Sequence, residues 1–576
     1  MPLPSVTALL KRASELEAER NQYADLWQEI AERVVPHKSN ITKLLAPGER
    51  QTRELFDSTA PDAASTLAAS IHGTLTPSTQ PWLSFRIRQE ELNELADVKD
   101  WLEDCAQRIH AALRQSNWTT SVHEMYLDLV GPAGMGCLFV EEKAPPASGG
   151  FGGFRFRAHA PGEYAVAEDA EGRIDTVFRW LSLTARAIVA KWGEPAVGAK
   201  IRETAAAKPD QRFTVIQAIL PNADYAAPDD QRARQAKTRM PWVSCYFVRE
   251  TREKLESGGF EEFPFLCPRW AKTSGEVYGR GPSHTALPDI KTINAVKEFL
   301  LKAAPLAMVP PTIEEDDAVV GDPDLRPGGR NTVSARGTRS IHEAFAFMET
   351  GLKVDLSQII LADLKASIRR IYFADQLELQ EGPQMTATEV QVRYELMQRL
   401  LGPTLGRLET EFLNPLVERA FALMARAGAL LPMPDSLRQR VPAGVELPDL
   451  DVEYEGPLAR AQRTVELTAQ DRVFGFVAAL TQALVASGAP PAVAQSPWDV
   501  LKLDEWVRDR AEITGVRVDS LNSIEDVQQI RAAREQAQAE AAEADDARAT
   551  AEAAGKAAPM VKTLAEVAGG PNGGRP

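Results

Sequence analysis

Apolar residues recur every three or four places from Ser283 to Ala304, where Leu287, Ile290, Ile293, Val296, Leu300 and Ala304 share one face of a helix. A second rod follows a Pro-, Gly- and acid-rich excursion: Leu356, Ile360, Leu364, Ile368 and Ile371 form one stripe, with Asp355 as the predicted N-cap. At 1.5 Å per residue each rod is about 30 Å long. A short polar loop broken at Gly382-Pro383 comes next, then Thr386-Ala387-Thr388-Glu389, a capping box that opens a long helix running towards Gly428. Gly402-Pro403 and Pro415 lie inside that helix, so it is expected to bend.

On either side the periodicity changes. Leu9, Ala13, Leu16, Tyr23, Trp27, Ile30 and Val34 predict an amphipathic helix over 5–34 that ends before Pro36. A helix of small residues is predicted over 61–75, a short strand around Trp82, Phe85 and Ile87, and helices over 97–116 and 121–130. From Gly136 the runs CLFVEE, FRFRAHA, EYAVAED, RIDTVFRWLSL, FTVIQAIL, WVSCYFV and FPFLCPRW are rich in β-branched and aromatic residues and several alternate, the strand period. The segments 144–153 and 226–238 read as loops. Residues 1–282 are therefore expected to form an α+β unit. Beyond Gly428 come strand-like and turn-like pieces. Helices resume from Leu458, two more are expected over 504–515 and 524–549, and the C-terminal 555–576 reads as disordered.

At 576 residues the chain should divide into several units. Its net charge of −16 argues against gripping nucleic acid by a basic face, without excluding a protein past which nucleic acid slides. The four cysteines, Cys105, Cys137, Cys245 and Cys267, lack metal-ligand spacing and are read as buried free thiols. The N-terminus does not resemble a signal peptide, and no apolar run approaches the roughly 20 residues of a membrane span. A soluble, intracellularly made protein is expected.

No motif carries catalysis, cofactor or metal chemistry. Gly275–Pro282 resembles a phosphate-cradling loop, but Pro282-Ser283 stands where Lys-Ser/Thr is required, so a tight turn into the first rod is expected. His123-Glu124 and His342-Glu343 lack the second His of a zinc-protease helix, and there is no GxSxG. Arg369-Arg370 on the second rod suit phosphate contact, a solvated helix face, or pairing with Asp289 and Glu298 of another subunit.

The run Leu55-Phe56-Asp57-Ser58, the segments LAASIHGTLTPSTQPW (67–82), GEVYGRGPSHTALPDIKTIN (275–294), MTATEV (385–390), LLGPTLGRLETEFLNPLVERAF (400–421) and GPLARAQR (456–463) resemble, in order, the portal or head-to-tail connecting proteins of short-tailed bacteriophages. The resemblance covers about 55–540. It implies an α+β, predominantly α-helical portal architecture in a ring of typically twelve copies with a central channel. The implied parts are a wing (1–282), stem helix 1 (283–304), a clip (305–354), stem helix 2 (355–377), a tunnel loop (378–386), a long kinked wing helix with following strands (387–456), a helical crown (457–550) and a tail (551–576). Implied partners are other copies, the terminase motor, capsid and scaffolding proteins, the tail adaptor, and double-stranded DNA passing without sequence specificity; no membrane is implied. The expected location is the portal vertex of the virion, after assembly in the host cytoplasm. Glu378, Leu379, Gln380, Glu381, Gly382, Pro383 and Gln384 would face DNA in the tunnel loop. Lys291, Lys297, Lys365, Arg369 and Arg370 are candidates for the stem channel, and Arg326, Arg330, Arg336 and Arg339 for clip contacts. The alternative is a helical scaffold or structural oligomer that conducts no DNA.

Overall fold

A computed structural model of the chain describes residues 5–146, 149–222, 240–315, 324–333, 345–347, 354–377, 401–438, 450–454 and 457–488, short gaps near 45, 79, 88 and 94 apart, and scattered positions between 490 and 539. The chain divides into two units, residues 1–92 with 101–459, and residues 93–100 with 460–576.

In the first unit, helix α1 (Val6–Val34) is capped by the Ser5 hydroxyl, which accepts from the Ala8 N–H, and stops before Pro36. Helix α2 (Thr59–Leu75) ends at Thr76, where Pro77 forbids continuation. Strand β1 (Leu83–Ile87), helices α3 (Ala96–Arg114) and α4 (Trp118–Val130), and strands β2 (Leu138–Glu142) and β3 (Phe154–Ala158) follow. Then come β4 (Tyr164–Glu168), β5 (Ile174–Thr184), β6 (Arg212–Pro221), β7 (Trp242–Val248), β8 (Lys254–Phe260) and β9 (Phe265–Leu266). Strands β4 to β8 make one antiparallel sheet in sequence order, and β2 lies between β3 and β9 in a second. Strand alternation gives the larger sheet two apolar faces. Ala165, Phe178 and Ala218 pack under Leu9, Ala13 and Leu16 of α1, while Tyr164, Val166, Val177 and Ile219 meet Phe139 and Phe265 of the smaller sheet and Cys137 just before β2.

Two features of this region depart from the expectation of strands alone. Helices α5 (Ala185–Trp192) and α6 (Ala199–Ala207) lie between β5 and β6, the first capped by the Thr184 hydroxyl, and both pack on Phe213, Val215 and Val248. Strand β8, KLESGGF, carries no β-branched residue; its pairing with β7 makes it a strand.

The first predicted rod is helix α7 (Pro282–Met308) and the second is α8 (Val354–Ile371), which starts one residue before the Asp355 expected as its cap. Between them β10 (Thr312–Glu315), β11 (Arg330–Val333) and β12 (Phe345–Phe347) form a small mixed sheet with β10 in the centre. After α8 the chain breaks at Phe373, which takes a left-handed φ of 58° before a last turn at Ala374–Leu377. Residues 378–400, with the predicted capping box, lie outside the described residues. The long helix is described from Leu401: an α stretch, a π turn at Glu409–Leu413, and α9 (Asn414–Arg426), closed by Gly428 at φ 68°. The irregularity lies just before Pro415, which has no N–H to donate to Glu411, so the preceding turn widens and Asn414 donates to Glu409. Strand β13 (Leu450–Tyr454) pairs antiparallel with β1.

The second unit is described mainly by helix α10 (Pro457–Ala486), where Phe474 stacks on Trp506 at 5.1 Å and meets Trp498 edge-on at 5.0 Å, and Arg510 pairs with Asp471.

Candidate functional site

Helices α7 and α8 form an antiparallel hairpin. Its register is set at two points: the Ser283 hydroxyl lies 2.7 Å from the Tyr372 hydroxyl and donates to the Val130 carbonyl, and Ser367 donates to Asp289 at 2.7 Å. Buried Tyr372 sits beside left-handed Phe373, so packing at this point holds a backbone conformation that a bulky residue disfavours.

The base of the hairpin is held by the Leu55–Ser58 run. Asn294 Oδ1 accepts the backbone N–H groups of Phe56 and Asp57 at 2.7 and 2.9 Å. The Asp57 side chain, 1% exposed, accepts Lys297 Nζ at 2.5 Å through Oδ2 and the Thr59 N–H at 2.8 Å through Oδ1, with Lys365 Nζ at 4.0 Å. Burial pushes the Asp57 carboxyl up, but the bonds from Lys297 and Thr59 outweigh it and leave the carboxyl below its ordinary value. Lys291 pairs with Glu29 of α1 at 2.7 Å. Of the five cations proposed for the channel, three thus tie the hairpin to the N-terminal region. Arg369 pairs with Asp375 at 3.0 Å, and Arg370 is exposed. Asp289 and Glu298, considered as partners of Arg369-Arg370, bond Ser367 and Lys302 of the same chain.

The segment 275–282 makes the tight turn expected of it. The backbone at Gly279 and Gly281 crosses that at Gly134 so closely that a Cβ at Gly279 would stand 2.2 Å from the Gly134 carbonyl oxygen. Tyr278 enters the core edge-on to Trp27 at 5.0 Å. The Gly281 N–H donates to His284 Nδ1 at 3.1 Å, a cap for α7 that needs an unprotonated nitrogen; burial lowers the His284 pKa to about 4.

The long helix is anchored by Arg269, whose side chain is 2% exposed. Its backbone N–H and Nε donate to Glu411 Oε2 at 2.9 and 3.2 Å. Its terminal nitrogens donate to Glu411 Oε1, Glu168 Oε2, and the carbonyls of Gly172 and Val277. A second buried arginine, Arg419, donates to the carbonyls of Val140 and Glu262, and burial lowers its pKa to about 10. Glu411 and Arg419 stand in the segment 400–421 and Arg269 in the run FPFLCPRW, but neither network was legible in the sequence, because only the fold brings these partners within reach. Asn294 and Asp57 had one signal, their place in the segments 275–294 and 55–58.

At the tip, Arg326 pairs with Asp324 at 2.8 Å and is exposed, as is Arg330 at the start of β11. Arg336 and Arg339 lie outside the described residues, as do Glu378, Leu379, Gln380, Glu381, Gly382, Pro383 and Gln384. Among the described residues no group of three or more His, Cys, Asp or Glu is placed to hold a metal ion, and no helix is long and apolar enough to cross a membrane. All four cysteines are free and buried.

The polar contacts at these positions join one element to another around a docked helical hairpin with a strand-bearing tip. A family model for bacteriophage head to tail connecting proteins matches residues 6–521. The probable portal protein of Bordetella phage BPP-1 is 30% identical over 548 residues, covering 93% of this chain and 92% of that one. The portal protein of Salmonella phage epsilon15 is 27% identical over 572 residues, covering 97% and 95%. A chain from the virion of a native gene transfer agent particle matches at a TM-score of 0.29 and 11% identity, over 71% of this chain and 98% of that one, a likeness too low to carry an argument. The chain belongs to the bacteriophage head to tail connecting protein family. Its fold is α+β and mainly helical, as expected.

Proposed function

We propose that the chain is a portal subunit. Twelve copies close into a ring at one capsid vertex, with a central channel through which double-stranded DNA enters on packaging and leaves on ejection. The observation that carries this reading is the end-to-end likeness to two phage portal proteins, each covered over more than nine-tenths of its length. In this reading the hairpin α7–α8 is the stem, residues 305–354 the clip that meets the terminase motor and later the tail adaptor, and residues 457–550 the crown. Glu378–Gln384 form a loop that projects towards DNA, and the chain has no catalytic activity, packaging energy coming from a partner ATPase. The net charge of −16 per copy suits a wall past which phosphates slide. Arg326, Arg330, Arg336 and Arg339 pair with acidic edges of neighbouring copies in the clip, where charge governs choice of partner more than affinity.

Native mass spectrometry and electron microscopy of the purified protein test this. One closed stoichiometry with a central hole is expected. A monomer throughout the micromolar range overturns the reading, and an open or variable oligomer favours a scaffold that conducts no DNA.

A further inference from the structure

Cys137 and Cys267 stand across from each other where β2 meets β9. The ladder pairs Leu138 with Leu266 and Phe139 with Phe265 on one side of them, and Met135 with Arg269 on the other. All three pairs keep one register, and that register sets Cys137 opposite Cys267. The Gly136 N–H donates to the Pro268 carbonyl at 2.8 Å and the Val140 N–H to the Pro264 carbonyl at 2.9 Å, so the cysteines occupy a non-hydrogen-bonded step, where facing side chains come closest. Cα atoms at such a step are about 4.5 Å apart, inside the roughly 4.4–6.8 Å that a disulfide spans. The two thiols share a side-chain hydrogen bond, and both are buried. Cys105, in α3, and Cys245, in β7, lie on other elements.

The pair sits where the ladder is thin. Pro264 and Pro268 flank β9 and have no N–H, so the carbonyls of Val140 and Gly136 receive no bond from that strand. Arg419 makes good the loss at Val140. Strand β9 also lies at the edge of its sheet, so it can part from β2 while β2 keeps its pairing with β3. Burial, and after it the bond with Cys267, push the Cys137 thiol up, which keeps that sulfur protonated and unreactive while the ladder is closed. Chemistry at the pair therefore waits on an opening of β9. Two residues beyond Cys267, Arg269 fastens the long helix through Glu411.

We propose that Cys137 and Cys267 are a reversible dithiol–disulfide pair. A two-electron oxidant, a small disulfide or a peroxide, removes one proton and one electron from each thiol and is itself reduced, while a sulfur–sulfur bond forms and staples β9 to β2 beside Pro268. Thiols stay reduced in a cytosol and oxidise at a virion surface. The open form then belongs to assembly and the stapled form, with Arg269 held in place, to the released particle. That assignment of place rests on the portal reading; the bridge itself does not.

The test treats reduced, full-length wild-type protein with diamide, whose nitrogen–nitrogen double bond takes up the two hydrogens and becomes a hydrazine. Thiols counted in denaturant are expected to fall from four to two. Peptide mass spectrometry is expected to find the Cys137 and Cys267 peptides joined and lighter by two hydrogens, and dithiothreitol to restore all four thiols. Cys137→Ser is expected to keep its remaining three thiols, and Cys105→Ser to fall from three to one. If either variant fails to fold, the peptide map of the wild type alone decides. Four thiols after treatment, a link between any other two cysteines, or a link between two chains overturns the proposal. The ring reading stands in each of those cases, because its mass measurement uses no oxidant.

Discussion

Glu411, in the π turn of the long helix, holds Arg269 with both carboxylate oxygens across 142 residues of sequence, at 2.8 Å from Oε1 to a terminal nitrogen and 3.2 Å from Oε2 to Nε. A buried guanidinium leaves no N–H unmatched here, because Glu168 and two carbonyls take the remainder. The widened turn ahead of Pro415 therefore coincides with the point where the helix is fastened to the sheet. Replacing Glu411 by Ala leaves a buried charge short of its main partner and should cost about 3–5 kcal/mol of unfolding free energy. Arg269→Met with Glu411→Leu should recover much of the loss. Denaturant unfolding of the single and double variants measures the coupling, and additive losses would show that the pair does not act as a unit.

Asp57 and Lys297 fasten the hairpin at its base. Lys297→Met leaves an almost fully buried carboxylate with Lys365, at 4.0 Å, as its remaining cation and should destabilise by about 3 kcal/mol, whereas Lys291→Met, on the half-exposed pair with Glu29, should cost under about 1 kcal/mol. Because the folded Asp57 pKa lies below its unfolded value, its contribution is complete above about pH 4 and is lost as pH falls further. The two variants compared in thermal melts at pH 7 decide whether burial or mere proximity governs these pairs.

Asp128 behaves in the opposite sense. Its side chain is 1% exposed and pairs with Lys38 at 2.8 Å, yet burial raises its pKa to about 6. Between its unfolded value near 4 and its folded value near 6 the folded state holds the extra proton, so this group makes stability fall as pH rises through that window. The full swing is on the order of 3 kcal/mol. Asp128→Asn should be more pH-independent than the wild type from about pH 4 to 6. An unchanged difference between the two proteins across that range would count against the assignment.

The tunnel-loop reading rests on position, since residues 378–386 connect the second stem helix to the long helix. Deleting Leu379–Gln384 should leave ring assembly intact and lower the retention of DNA in filled heads. Retention equal to the wild type, measured as full-length DNA per particle, removes the loop from that role.

Much of the architecture was legible in the spacing of apolar residues. Ile290 and Ile293 fixed the inner face of α7 and Leu9, Ala13 and Leu16 that of α1, because burial against one neighbour imposes the period of the backbone that carries it, and runs of β-branched and aromatic residues, several of them alternating, marked β2 to β7. Local capping chemistry set several ends, as at Ser5 and Gly428. What the sequence left open were features whose cause lies far along the chain. The KLESGGF strand exists because β7 offers it a ladder. Lys297 and Lys365 show no partner in the sequence, and Asp57 is brought beside them from more than two hundred residues away; Arg269 and Glu411 are two ordinary charges until folding removes water from around them. Spacing determines which face of an element is apolar; only tertiary structure decides which buried charge meets which, because that pairing depends on distance and desolvation created by the fold itself.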